Sequence, residues 1–218
     1  PCMVIKGTEL YKEWKKGKYK PITTSKAATL IAEFKKYIPE YVRLMRVQRD
    51  IPTFMTEAGV DKTNLRQYIE KELKKKGRKC RCIRCREIGR TKEEIENYDI
   101  KIIDYRASKG KEFFISAVKN DALIGFCRLR FPSKHLRKEI TKDSVLIREL
   151  HVYGETTKLG KTGKVQHKGV GKRLLKMAER ISKDYSYKKV VIISGIGVRD
   201  YYRKLGYKKE GVYMVKSL

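Results

Sequence analysis

Three of the chain's five cysteines lie close together, at Cys80, Cys82 and Cys85, with lysine and arginine in the gaps around them. Three thiolates can bind one metal ion, and neighbouring cations favour the thiolate form that both metal binding and redox reactions need. Zinc prefers four ligands, so a histidine, Cys2 or a water molecule would complete its shell. A redox device, a surface for an acidic partner, or three unrelated cysteines in a basic linker are the alternatives.

A second stretch with chemical potential is QHKGVGKRLL, residues 166–175. Its two glycines allow the backbone to approach a ligand, and the first-turn amides of a following helix suit a pyrophosphate. The alternative is a plain turn, but the order strand, loop, QxxGxG and amphipathic helix is more specific than two glycines alone. Basic side chains surround the predicted helix start, where the helix dipole favours acids, and a bound anion would explain this placement. They are Lys168, Lys172, Arg173 and Lys176.

The net charge of +29 on 218 residues predicts a polyanionic partner. Nucleic acid is the leading candidate and an anionic membrane the second, whereas a basic peptide would be repelled. No apolar run approaches the roughly 20 residues that cross a bilayer, and no signal peptide pattern is present. An odd number of closely spaced cysteines argues against a disulfide framework. These features predict a cytoplasmic protein, and the start at PCMVIKG suggests a piece of a longer chain.

The N-terminal part, residues 1–76, is predicted to alternate short strands and helices. Residues 3–5 and 41–48 have the composition of strands. A first helix is expected from a cap at Thr24 or Ser25 to Pro39, and a second over residues 61–77. The apolar face of the first helix would comprise Ala27, Leu30, Ile31 and Phe34, and that of the second Leu65, Tyr68, Ile69 and Leu73. Two such units cannot close a barrel, so this part is expected to be a remnant packed on the rest.

The remainder predicts an α/β domain. Residues 101–108, 110–119 and 121–131 are predicted strands separated by turn signals, which suggests an antiparallel meander, and residues 144–153 are predicted to form another strand. A helix over 169–185, a strand at 188–195, a second helix over 198–207 and a closing strand at 211–218 follow. On the fourth strand, Glu149 and His151 have the same parity and therefore face the same side. Cys127, inside a strand pattern, is expected in the core.

The QxxGxG order resembles motif A of the GNAT acetyltransferase superfamily, which holds the pyrophosphate of acetyl-CoA. This resemblance implies that the strand before the motif lends main-chain groups to the pantetheine arm, and that a tyrosine on the later helix lies near the thioester sulfur. The implied cofactor-binding residues are Glu149, Leu150, His151, Val152, Gln166, Lys168, Gly169, Val170, Gly171, Lys172 and Tyr202.

Catalytic roles are expected for Tyr202, Tyr201 and Glu149. Tyr202 is the candidate for contact with the sulfur, and Tyr201 lies beside it or packs inward. An acetyltransferase needs a base and an acid, and Glu149 or His151 could be the base or position a water molecule, although both are expected chiefly as backbone contacts to the cofactor. The glycine- and lysine-rich loop at 155–165 suits a lid over the site.

Several segments together resemble a narrower family, that of the catalytic subunit of the Elongator complex, which carboxymethylates the wobble uridine of tRNA. They are RCRCIRCREIG, RELHVYG, QHKGVG, ISGIGVRDYYRKLGY and GVYMVKSL. The resemblance implies the C-terminal βα part of a radical S-adenosylmethionine (SAM) partial barrel at 1–76 and a zinc-binding linker at 77–94. A GNAT domain, with a mixed twisted sheet between helices, would occupy 95–218. The lysine-rich composition suggests an archaeal form.

The same resemblance implies the chemistry. Acetyl-CoA would donate a group that is added to the uridine carbon, and its thioester would be hydrolysed in a tRNA-stimulated reaction. S-adenosylmethionine and a 4Fe–4S cluster would belong to the intact enzyme, because Cys2 is the only cysteine before the linker. The expected partners are tRNA, the rest of the radical SAM domain and Elongator-type subunits. Residues expected to face RNA phosphate are Arg78, Lys79, Arg81, Arg84, Arg86 and Arg90.

Two other functions remain open from the sequence. A protein-lysine acetyltransferase of the histone-modifying type would share every residue of the pyrophosphate site, although the charge argues against basic peptides. A non-catalytic RNA-binding module would keep the basic linker and fail to bind acetyl-CoA.

Overall fold

The computed structural model describes residues 3–90, 97–153 and 169–218. The chain divides into two compact units, Pro1–Cys85 and Arg86–Leu218. Among the described residues, no helix combines the length and the apolar composition that crossing a bilayer requires.

The first unit is mainly helical. Its elements are β1 (Val4–Ile5), α1 (Glu9–Lys15), α2 (Thr24–Lys35), β2 (Thr56–Ala58) and α3 (Leu65–Lys75), and a short helix α4 (Ile83–Arg86) crosses the boundary to the second unit. Strands β1 and β2 pair in an antiparallel sheet. The core forms where α2 packs on α3, and its buried members are Ala27, Ala28, Ala32, Val60, Leu65, Ile69, Leu73, Cys80 and Cys82.

Helix α3 buries Leu65, Ile69 and Leu73, which confirms most of its predicted stripe.

The predicted face of α2 is correct for two residues and wrong for two. Ala27 is buried in the core and Ile31 packs at its edge, whereas Leu30 and Phe34 are 62% and 59% exposed. The small alanines of α2 permit close contact with α3, and this packing turns Leu30 and Phe34 outward.

The predicted start of α2 is also wrong by one residue. Its N-cap is Thr23, whose hydroxyl accepts a hydrogen bond from the amide of Lys26. The hydroxyl of Thr24 is engaged elsewhere, since it donates to Asp61 at 2.6 Å.

The predicted strand at residues 41–48 is not formed. The carbonyl of Val42 accepts a hydrogen bond from the amide of Ile83 at 2.9 Å, and the carbonyls of Leu44 and Met45 accept from the guanidinium of Arg66. Because these backbone groups bond to the cysteine segment and to a side chain of α3, they do not form a strand ladder.

The second unit is a seven-stranded mixed sheet with the order β3-β4-β5-β6-β7-β9-β8. Its strands are β3 (Asp99–Ala107), β4 (Gly110–Lys119), β5 (Ala122–Phe131), β6 (Ser144–Val152), β7 (Lys189–Ile192), β8 (Lys208–Glu210) and β9 (Tyr213–Ser217). The predicted meander of β3 to β5 is confirmed, and the predicted fourth strand, β6, pairs antiparallel with β5. Strands β6 and β7 run parallel, and the other pairs are antiparallel. Strand β8 was not predicted, since the three charged or polar residues KKE carry no apolar alternation.

Helix α5 (Val170–Asp184) packs on strands β4, β5 and β6 through its predicted apolar stripe. Leu174, Ala178 and Ile181 of that stripe join the main core, and Met177 packs at its edge. Cys127 is fully buried in the same core, as expected. A shorter helix, α6 (Arg199–Arg203), follows β7.

Candidate functional site

Strands β6 and β7 separate before β6 ends. The parallel pairing covers Ser144–Ile147 of β6, and the last hydrogen bond runs from the amide of Ile193 to the carbonyl of Ile147 at 3.2 Å. Over residues 149–152, β6 is paired with β5 on one edge, and no described strand pairs with its other edge. Main-chain groups on that open edge can therefore bond an extended ligand in the way that they would bond a strand.

A β-bulge at Arg148 determines which side chains line this open part of β6. Arg128 of β5 is opposite Glu149 and Leu129 is opposite Ile147, so Arg148 is the extra residue. Ile147 and Leu150 consequently both pack in the core that contains α5. A bulge shifts the alternation of side chains by one residue, which leaves Glu149 and His151 together on the opposite face.

The N-terminus of α5 has the features of an anion site. Gly169 is the N-cap in a left-handed conformation, with φ of 101°, and offers no side chain to the first-turn amides. The first turn contains no acidic residue, and Lys172 and Arg173 are exposed. Val170 is buried in the core and anchors this turn. Uncapped amides, the positive end of the dipole and two cations suit a phosphate group.

Gly171 brings this helix start close to β6 and α6. A Cβ on Gly171 would lie 2.9 Å from the hydroxyl oxygen of Tyr201 and 3.6 Å from Cγ2 of Val152. The end of the open β6 segment, the first turn of α5 and the Tyr201 hydroxyl thus meet at one place. The structure thus brings these predicted residues together, and the sequence alone did not indicate that Tyr201 reaches the glycine.

The two adjacent tyrosines of α6 have different environments. Tyr201 is 40% exposed, whereas Tyr202 is 6% exposed and lies in the core with Tyr207. Burial raises the pKa of Tyr202 to about 12. At neutral pH Tyr202 therefore keeps its proton and can serve as a hydrogen-bond donor. Its predicted contact with the thioester sulfur stays a prediction.

Glu149 is held by a partner that sequence reasoning missed. Nε of Arg128 donates to the Glu149 carboxylate at 2.9 Å, and Arg128 also reaches the Tyr105 hydroxyl at 3.3 Å. The Arg128 guanidinium lies over the rings of Phe114 and Phe126. The available signal was an arginine in the middle of an apolar strand. The predicted catalytic role of Glu149 stays a prediction, and the Arg128 ion pair orients its carboxylate.

His151 stacks on the ring of Phe126 at 6.0 Å and lies 4.5 Å from that of Tyr153. It shares its face with Glu149, as the parity predicted. Two predicted members of the site, Gln166 and Lys168, and the predicted lid at 155–165 lie outside the described residues.

The three clustered cysteines converge in the first unit. The sulfur atoms of Cys80, Cys82 and Cys85 all lie within 4.8 Å of one another. Sulfur ligands of a tetrahedral zinc ion, each about 2.3 Å from the metal, are separated by about 3.8 Å, so the cluster fits a zinc ion after small adjustments. Among the described residues no histidine, acid or further cysteine joins this group.

Hydrogen bonding in the cluster favours a thiolate. The thiols of Cys80 and Cys85, followed by the backbone amides of Cys85 and Leu44, lower the pKa of Cys82. Hydrogen bonding with the side chain of Cys82, and next with that of Cys85, raises the pKa of Cys80. Amides directed at a thiolate are a common environment of metal-bound cysteine, because they compensate negative charge on sulfur. The donor set and its surroundings thus fit a zinc ion.

The basic residues around the cysteines do not all face solvent. Arg86 is 4% exposed and pairs with Asp121 at 3.7 Å, so the expectation that it faces RNA phosphate is wrong. Arg78 pairs with Glu33 at 3.0 Å and Arg81 with Glu40 at 2.8 Å. Acidic residues of the chain itself therefore neutralise part of the positive charge around the cysteines.

Two family models match the chain. The Radical_SAM C-terminal domain matches residues 1–75, and the Acetyltransferase (GNAT) family matches residues 83–207. The expected α/β class, with a radical SAM C-terminal part followed by a GNAT domain, is confirmed.

Similar proteins match over the whole of this chain. The tRNA uridine(34) acetyltransferase of Methanocaldococcus jannaschii is 48% identical and the Elongator complex protein 3 of Saccharomyces cerevisiae is 41% identical, and this chain spans 42% and 41% of their lengths. The solved structure of archaeal Methanocaldococcus infernus Elp3 with an N-terminal deletion has a TM-score of 0.90 at 47% identity, and this chain covers 54% of it. The chain therefore belongs to the GNAT acetyltransferase family and is, along its whole length, a homologue of Elongator complex protein 3 and the tRNA uridine(34) acetyltransferases.

Proposed function

We propose that this chain binds acetyl-CoA between the open edge of β6 and the first turn of α5, as part of an enzyme that modifies the wobble uridine of tRNA. The observation that carries the proposal is the separation of β6 from β7 beside the uncapped N-terminus of α5. An extended ligand with a pyrophosphate at one end matches both features.

The residues divide the binding between them. The first-turn amides of residues 169–172, with Gln166 and Lys168, would hold the pyrophosphate, and the main chain of Glu149–Val152 would bond the pantetheine arm. When bound, acetyl-CoA supplies the thioester and the acetyl group. Tyr202, which is protonated at neutral pH, would donate its hydroxyl proton toward the sulfur. Glu149, oriented by Arg128, would position a water molecule.

The tRNA substrate is proposed from the names of the relatives and from the charge. The proteins of M. jannaschii and Dehalococcoides mccartyi are called tRNA uridine(34) acetyltransferases. A net charge of +29 suits a polyanion and opposes a basic peptide. Addition to the uridine would also need the rest of a radical SAM domain with its S-adenosylmethionine and 4Fe–4S cluster. In a eukaryotic setting Elongator-type subunits would be partners, and the cytoplasm is the expected compartment.

The test is acetyl-CoA hydrolysis by the chain with and without tRNA, followed by release of free thiol at low and high salt. We expect stimulation by tRNA that decreases as salt rises, because phosphate contacts release counterions. Acetyl-CoA binding that is unaffected by RNA, together with acetylation of lysine peptides, would instead identify a protein acetyltransferase. RNA binding without any acetyl-CoA binding, measured by calorimetry, would leave an RNA-binding module.

A further inference from the structure

Lys35 is a fully buried cation beside the three cysteines. It is the last residue of α2, and its side chain is 0% exposed. Its Nζ donates a hydrogen bond to Sγ of Cys85 at 3.6 Å. A buried ammonium is rare unless it is paired, because removal from water costs several kcal/mol.

Among the described residues, no carboxylate accepts a hydrogen bond from Lys35 or forms an ion pair with it. The acid two residues earlier in α2, Glu33, is paired with Lys36, Lys76 and Arg78. The C-terminal end of the α2 dipole favours a cation, but by less than the cost of burial. The negative charge that Lys35 requires must therefore come from the cysteine side.

Three neutral thiols supply no such charge. Three thiolates on a divalent metal ion carry a net charge of minus one, which one ammonium balances. Lys35 is positioned to balance this charge, because its Nζ donates a hydrogen bond to the sulfur of Cys85. Cys85 is half-buried, whereas Cys80 and Cys82 lie in the core.

We propose that Lys35 is the positioning residue of the metal centre: its ammonium donates to the Cys85 thiolate and makes the buried metal and three thiolates electrically neutral. The lysine amine hydrogen-bonds to a ligand and does not itself bind the metal. Outer-shell donors of this kind stabilise a metal site by orienting the ligand and by compensating its charge. This inference is independent of the proposed acetyl-CoA site.

The test measures Zn²⁺ affinity of the full chain by competition with a chromophoric chelator, after removal of metal under reducing conditions. Co²⁺ serves as a second probe through its thiolate charge-transfer band. Lys35→Met should weaken Zn²⁺ binding by about 10- to 100-fold, while Lys35→Arg, which keeps a charged donor, stays within about threefold of the unmodified chain. Lys26→Met, at an exposed position on the same helix, is the control and should have no effect.

Two results would overturn the proposal. One is Zn²⁺ affinity of Lys35→Met equal to that of Lys26→Met. The other is a loss in Lys35→Arg as large as in Lys35→Met, which would indicate that the amine itself ligates the metal.

A measurement on the unmodified chain does not depend on the folding of any variant. In the ¹⁵N-lysine-labelled protein, addition of Zn²⁺ should shift one ammonium resonance and protect its protons from exchange with water. Absence of that shift would contradict the proposal, since no other lysine in the described part of the chain donates a hydrogen bond to the cysteine cluster.

Discussion

Gly171 is the residue at which the acetyl-CoA proposal can be tested most directly. A Cβ at this position would lie 2.9 Å from the Tyr201 hydroxyl oxygen and would displace that side chain. We expect Gly171→Ala to weaken acetyl-CoA binding by about tenfold or more, measured by calorimetry, with little change in thermal stability. Gly89→Ala is the matched control, because a Cβ at Gly89 meets nothing within 4 Å. Equal affinity in both variants would show that the helix start does not bind the cofactor.

The two tyrosines of α6 should separate binding from turnover. Tyr202→Phe removes a proton donor and should slow thioester cleavage by about 100-fold with little effect on affinity. Tyr201→Phe removes the hydroxyl beside Gly171. It should increase the dissociation constant for acetyl-CoA by a larger factor than it decreases the rate constant of thioester cleavage. Single-turnover kinetics together with direct binding measurements distinguish these effects. If Tyr202→Phe mainly weakens binding and Tyr201→Phe mainly slows cleavage, the proposed roles of the two tyrosines are reversed.

Sequence reasoning located the residue types of the site but not their contacts. The pattern DYYRKLGY places both tyrosines near the site, yet adjacent residues of a helix point in directions about 100° apart, and the pattern alone does not assign the hydroxyls. Likewise, Glu149 was identified, whereas its partner Arg128 depends on the register between β5 and β6. That register contains a bulge, and the pattern of apolar residues in the sequence does not predict where a bulge occurs.

At the scale of elements, the long strands of the second unit were predictable, whereas part of the face of α2 was not. Residues 110–119 and 121–131 are almost continuously buried, so their apolar and β-branched composition marks them as strands. Helix α2 has small alanines beside the larger Leu30 and Phe34, and a pattern of hydrophobicity favours the larger residues. Close helix contact favours the alanines, and this is information about the partner helix.

The ladder of β4, β5 and β6 is held by a buried carboxylate. Glu112 accepts hydrogen bonds from Arg130 at 2.8 Å and from Arg148 at 2.7 Å, and its side chain is almost completely buried. Glu112→Leu leaves two guanidinium groups without that partner and should destabilise the second unit by about 3 to 5 kcal/mol in urea unfolding followed by far-UV circular dichroism.

Asp104→Asn is the control for this experiment, because the pair of Asp104 with Lys111 is exposed and contributes less than about 1 kcal/mol. A change in Glu112→Leu no larger than in this control would mean that the network does not stabilise the sheet.

At the scale of the whole molecule, the proposed metal site and the proposed acetyl-CoA site lie in different units. The three cysteines lie within Pro1–Cys85, and so does Trp14, the chain's single tryptophan. Removal of metal should lower the transition temperature seen by tryptophan fluorescence by about 5 °C or more, because metal binding free energy is folding free energy.

Circular dichroism of the β-sheet should change little on the same treatment, since the sheet belongs to the other unit. Cys82→Ser should bind metal more weakly, so the chelator should have no further effect on its fluorescence transition. A fluorescence transition that is indifferent to chelation in the unmodified chain would argue against a structural metal.

The bulge at Arg148 divides one strand into two parts with separate constraints. Val145 and Ile147, before the bulge, pack in the core, whereas Glu149 and His151, after it, lie on the face opposite α5 along the part of β6 with an open edge. A saturation library scored separately for abundance and for activity should therefore show an abrupt change at this position. Substitutions at Val145 or Ile147 would reduce abundance, whereas substitutions at His151 would leave abundance intact and reduce activity alone. The boundary between positions that affect abundance and positions that affect only activity would then lie inside one continuous strand.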